Sequence, residues 1–93
     1  MSYASELAQR LYEERGFTDD LPTLGLGLAE EAGEICKAIN QTNPKYIKQP
    51  GREIHSLREE LVDCMVYLLG IANVVEIDLI EEVQDRLEQQ LGV

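Results

Sequence analysis

Residues 28–39, LAEEAGEICKAI, place Glu30, Glu31 and Glu34 inside a segment whose apolar residues repeat at helical spacing. At about 100° of rotation per residue, Leu24, Leu28, Ile35 and Ala38 fall on one stripe of a helix. Glu31 lies in the middle of that stripe. Glu34 is about 60° to one side and Glu30 roughly 100° away, with Lys37 on the same flank as Glu30. The pattern recurs further along the chain, where Leu57, Leu61, Cys64, Leu68, Ile71 and Val75 form a second stripe. Glu60 sits about 40° from Cys64, Asp63 lies further out on the same side, and Tyr67 follows one turn later. Glu59 points to solvent by the same arithmetic. Burying carboxylates is costly, so any fold for this chain must explain acids on two core-facing stripes.

The periodicity is helical throughout, with no strand pattern. Ala4, Leu7, Ala8, Leu11 and Tyr12 make a first helix that Gly16 stops. Asp19 and Asp20 before Leu21-Pro22 start a second, running to about Gln41. The segment 42–51, TNPKYIKQPG, holds two prolines and a glycine and reads as a loop. A third helix spans about Glu53 to Val75. A fourth begins at Asp78, with Glu81 three residues on as in a capping box, and presents Ile80, Val83, Leu87 and Leu91. The expected fold is all-α, a single domain over 1–93: a small antiparallel bundle of about four helices. A chain of 93 residues buries a limited core, so the bundle is expected to be completed by homo-oligomerisation. The loop between the second and third helices lets them lie antiparallel as neighbours.

Composition excludes several classes. Net charge is −10, which opposes wrapping of nucleic acid. The longest apolar run, Cys64 to Val75, is broken by Gly70 and Asn73 and is too short for a membrane span. MSYASELAQR carries charge where a signal peptide needs apolar residues, so the expected location is cytoplasmic. Cys36 and Cys64 lack metal-type spacing and read as reduced thiols.

Each central helix therefore offers an acid pair at i, i+3: Glu31 with Glu34, and Glu60 with Asp63. Residues three apart are neighbours on a helix surface. If the two stripes face each other, four carboxylates converge. Two unit charges about 4 Å apart repel by roughly 4 kcal/mol at an effective dielectric near 20. Either some of these acids protonate or a divalent cation sits among them. The second pair, in phase with the first, favours the cation, and an all-oxygen site selects a hard ion, Mg2+ or Mn2+. Ferritin-like di-iron bundles need Glu-x-x-His pairs, and the single histidine, His55, cannot supply them. The competing reading is a non-enzymatic acidic helical oligomer, a binding or interaction protein whose acids are solvated or lie at subunit seams.

Glu30-Glu31-x-x-Glu34 followed by Glu60-x-x-Asp63, in the contexts LAEEAGEI and EELVDCMVYLL, resembles the MazG-like all-α nucleoside triphosphate pyrophosphohydrolases. The likeness covers about residues 20 to 90. It implies hydrolysis of a (d)NTP to the monophosphate and pyrophosphate with Mg2+. It implies Glu31, Glu34, Glu60 and Asp63 as metal ligands, Tyr67 facing the nucleotide, and assembly as homodimers or homotetramers. Two departures stand out. Some relatives carry a base-stacking aromatic near the end of the second helix, where this chain has Asn40-Gln41. Some carry a basic tail, whereas Arg86 is the only basic residue in the final third here.

Glu30 is the candidate to take a proton from the attacking water. Lys37, Lys45, Lys48, Arg52 and Arg58 cluster between positions 37 and 58, a candidate cationic rim for phosphates. Lys48 and Arg52 are the stronger candidates in that rim, with Arg58 turned away from the acids.

Overall fold

The computed structural model describes residues 2–16, 19–41 and 52–93. Among these residues there are four helices: α1 (Tyr3–Arg15), α2 (Leu21–Asn40), α3 (Arg52–Val74) and α4 (Leu79–Leu91). No strand occurs among the described residues. The segment read as a loop, with Lys45 and Lys48, lies outside the described residues, as do the side chains of Arg52 and His55.

The helix ends follow local chemistry. Ser2 caps α1 by accepting from the Ser5 N–H at 3.2 Å, and Gly16 ends it in the left-handed conformation. Asp20 precedes α2, where it accepts from the Thr23 hydroxyl at 2.6 Å, and Pro22 sits in the first turn. Asp78 caps α4 by accepting from the Glu81 N–H at 3.3 Å. The turn from α3 into α4 is a Schellman motif: Ile77 N–H donates to Ala72 O at 2.9 Å and Glu76 N–H to Asn73 O at 3.2 Å. Glu76 occupies its left-handed position, with φ 60°.

The α2–α3 pair is the largest packing unit, α1 lies against α3, and α4 touches α1 and α3 more lightly. α2 and α3 run antiparallel: Gly27 meets Tyr67, while Glu31, further along α2, meets Glu60 and Asp63, earlier in α3. Two glycines set the spacing. A side chain at Gly27 would collide with the Tyr67 ring, and one at Gly70 would come within 2.5 Å of Tyr12 Cζ. Each tyrosine thus occupies the gap a glycine leaves. The Tyr12 hydroxyl donates to Val66 O at 3.4 Å, Asn73 Nδ2 to Ser5 O at 3.0 Å, and Ser2 N–H to Asp78 Oδ2 at 2.8 Å. These bonds tie α1 to α3 and to the start of α4.

Among the described residues, the buried apolar ones are Ala8, Leu24, Ala38, Leu69 and Ala72. Two positions expected in the α3 stripe, Leu61 and Val75, are exposed instead. The reason is that α1 and α2 approach α3 from different sides, which moves burial to Leu69, Gly70 and Ala72. Leu7, Val83, Leu87 and Leu91 are also exposed. The molecule is a slab of 43 × 41 × 21 Å. Its accessible surface is 7109 Å², against roughly 5,400 Å² for a folded monomer of 10.5 kDa. No helix among the described residues is long and apolar enough to cross a membrane.

Candidate metal centre

One carboxylate oxygen each from Glu31, Glu60 and Asp63 lies within 4.8 Å of the others. Glu31 and Glu60 are half-buried and Asp63 is exposed, so the group opens to solvent on the Asp63 side. The antiparallel pairing of α2 and α3 brings these residues together from positions about thirty apart in sequence.

Glu31 carries the tension of the site. Its Oε2 is buried and has no hydrogen-bond partner. Its pKa is raised above the ordinary glutamate value, first by hydrogen bonding with the Glu60 carboxyl. Burial is the next cause, followed by the negative charges of Glu60, Asp63 and Glu34. A carboxylate with an orphaned oxygen facing two other acids has two remedies, a proton or a cation. The donor set is oxygen alone, which fits a hard divalent ion such as Mg2+ and not a soft one.

Glu34 stands outside this group of three and is exposed, although its charge still reaches Glu31. The expected four-acid convergence is therefore three acids with a fourth at the edge. Glu34's offset of about 60° from the α2 stripe accounts for its position. Glu30 is exposed beside Glu31, Lys37 is exposed in the last turn of α2, and Arg58 is exposed on α3. Tyr67 is half-buried with its ring against Gly27. Tyr12 belongs to the same neighbourhood: its hydroxyl pKa is raised by burial and then by the proximity of Tyr67. Sequence reasoning passed over Gly27 and read Tyr12 only as a position on the stripe of the first helix. The alternation of Gly25 and Gly27 with leucines was a visible sign of close helix approach. Cys36 is exposed, Cys64 is half-buried, and both are free thiols.

A helical pair with in-phase acids on facing stripes defines a class, and comparison with known proteins assigns it. The model of the MazG nucleotide pyrophosphohydrolase domain matches residues 20–90, and the chain belongs to that family. No curated protein and no solved structure matches it. Membership implies nucleotide pyrophosphohydrolase chemistry, and the acid cluster is consistent with the divalent-metal site of the family.

Proposed function

We propose that this chain is a Mg2+-dependent nucleoside triphosphate pyrophosphohydrolase. It hydrolyses a (d)NTP to the (d)NMP and pyrophosphate, as nucleotide-pool housekeeping in the cytoplasm. The observation that carries the reading is the convergence of Glu31, Glu60 and Asp63, with Glu31 Oε2 buried and unpartnered. Glu31, Glu60 and Asp63 hold Mg2+, with Mn2+ as a substitute, and Glu34 adds negative charge at the rim. A divalent ion held by these residues would neutralise phosphate charge and lower the pKa of a water. Glu30, exposed next to the cluster, accepts the proton of the attacking water. Tyr67 lies along the nucleotide, held in place by its fit to Gly27. Lys37, with Lys48 and Arg52, draws the anionic substrate toward an otherwise acidic protein.

The active form is a homo-oligomer, a dimer or tetramer. Val83, Leu87 and Leu91 of α4 are exposed, and with Met65, Leu68 and Ile80 they line an almost wholly apolar groove. Sedimentation velocity on wild type and Leu87→Asp tests this, with the variant shifting to monomer.

The direct test of activity is phosphate release from a panel of dNTPs and NTPs, with inorganic pyrophosphatase added. Wild type should turn over at least one of them only with Mg2+ or Mn2+. Absence of turnover across the panel, together with no Mg2+ effect on melting, would leave the interaction-protein reading standing.

A further inference from the structure

We propose that Gly27, which offers no ligand atom of its own, decides which divalent ion the acid cluster takes. With Tyr67 it forms the spacer that holds α2 and α3 at the separation a small ion needs. The proposal rests on the metal-site reading above. Gly27 lies four residues before Glu31 on α2, and Tyr67 lies four residues after Asp63 on α3. Four residues are about one turn, roughly 6 Å along a helix axis. Because the two helices run antiparallel, the Gly27–Tyr67 contact is the rung next to the one that carries the acids.

The contact tolerates little change. A Cβ on Gly27 would overlap Cε1, Cζ and Oη of Tyr67. Cζ and Oη lie on the axis about which the ring turns, so turning the ring in place does not clear them. Two escapes remain. The ring can swing out by changing χ1, for which a helix allows few values, or α2 can move away from α3. Tyr12 narrows the first route. It lies near Tyr67, is seated against Gly70, and donates its hydroxyl to Val66 O at 3.4 Å. The other glycines of α2 give the contrast. A Cβ at Gly25 or Gly33 would meet nothing within 4 Å among the described residues, although Gly33 is nearer to Glu31 in sequence. Of the three, Gly27 alone is held small by a neighbour on α3.

The spacing matters because the ligands come unequally from the two helices. Glu60 and Asp63 share α3, so one helix sets their mutual distance. Glu31 alone comes from α2, and its distance to the other two is set by how closely the helices pack. Mg2+ demands near-ideal octahedral geometry with oxygens at about 2.0–2.1 Å, whereas Ca2+ accepts a looser shell at about 2.3–2.6 Å. An added methyl at position 27 moves Glu31 away from its partners or leaves the rung unfilled by the ring. Either change costs Mg2+ more than Ca2+.

Isothermal titration calorimetry of the full chain with Mg2+ alone and with Ca2+ alone tests the assignment. Gly27→Ala should raise the Mg2+ Kd by at least about tenfold, the scale seen when the support of a metal ligand is altered. Its Ca2+ Kd should change by less than about threefold, given the looser shell of that ion. Gly33→Ala, on an exposed position of the same helix, should leave both constants within about twofold of wild type. The double variant Gly27→Ala/Tyr67→Leu removes the overlapping ring atoms and keeps the summed side-chain volume about the same. It should return the Mg2+/Ca2+ affinity ratio to within about threefold of wild type, a non-additive rescue. Should Gly27→Ala alone not fold, the double variant decides, and a lost ratio there overturns the proposal. An unchanged Mg2+ Kd in Gly27→Ala, or equal weakening of both ions, overturns it while the metal-site reading stands. A wild type that binds neither ion overturns both.

Discussion

Asp78 and Glu31 are both half-buried acids, and their surroundings drive them in opposite directions. Burial by itself pushes the Asp78 pKa up, but N–H donors from Glu81 and Ser2 outweigh it, and the net shift is downward. Its charge is answered by backbone hydrogens, so its role is to fasten the start of α4 to α1. Glu31 meets carboxylates where Asp78 meets N–H groups. Its pKa rises, and one of its oxygens has no partner. Position alone did not separate these two roles, since each acid sits among apolar residues on a helical pattern. What separates them is whether the protein itself supplies the compensating donors.

The sharpest way to break the comparison is activity. Glu31→Gln or Asp63→Asn should lower kcat/KM by at least ~100-fold, because altering even the outer partners of a metal ligand costs 10–100-fold. Asp78→Ala should leave the rate per folded molecule within about twofold, since a cap acts on stability and not on the reaction. Steady-state kinetics normalised to the folded fraction decides this. Equal losses at both sites would mean that Glu31 is structural like Asp78. Metal binding gives the next largest effect. Mg2+ at about 100 times its Kd should stabilise the fold by ~2.7 kcal/mol, which is roughly 10 °C or more in Tm for a domain of this size. That rise should shrink sharply in Glu31→Gln and persist in Asp78→Ala.

The two shifts also have opposite pH signatures. Glu31 has a raised pKa when folded, so above the ordinary glutamate value the native state keeps a proton that the unfolded state has released. Stability from that source falls as pH rises and is lost on passing the folded pKa. Asp78 has a lowered pKa when folded. Its contribution is present above the ordinary aspartate value and is lost as pH falls through the folded pKa. In EDTA, melting curves from pH 3 to 8 should therefore climb out of acid, pass a maximum and decline. Saturating Mg2+ should remove the decline, because the ion binds the ionised acids. Glu31→Gln should remove it without metal. A decline that survives Glu31→Gln would assign it to other groups.

Much of this was legible in the chain because it is local. Asp and Gly marked several helix ends, and the phase of Glu31 against Leu28 and Ile35 placed it toward α3. What was not legible depends on two helices approaching a third. The α3 stripe suited packing against one neighbour, whereas α1 and α2 press on α3 from two sides. Leu61 and Val75 are left exposed, and Leu69 and Ala72 carry the core. The same limit applies to Glu34. Its spacing from Glu31 was visible, but its separation from Glu60 and Asp63 depends on the relative rotation of two helices. The pairs Gly27–Tyr67 and Gly70–Tyr12 record that rotation, and each needs both partners to be read.

The smallest effects separate a carboxylate from the backbone that carries it. Asp78→Ala removes the acceptor for the Glu81 and Ser2 N–H groups and should lower Tm by roughly 5 °C. Two residues earlier, Glu76 bears a charge in a left-handed backbone position that glycine favours. Glu76→Gly relieves a conformation costing an L-residue about 1–2 kcal/mol, offset in part by the greater freedom glycine has when unfolded. The net expectation is a gain of about 0.5–1 kcal/mol, measured by urea denaturation with an unchanged m value. Kinetics, the Mg2+ response and the pH profile should all stay at wild-type values. A loss of stability in Glu76→Gly would mean that the Glu76 side chain makes a stabilising interaction, and an acid outside both regions compared here would then belong to the structural set with Asp78.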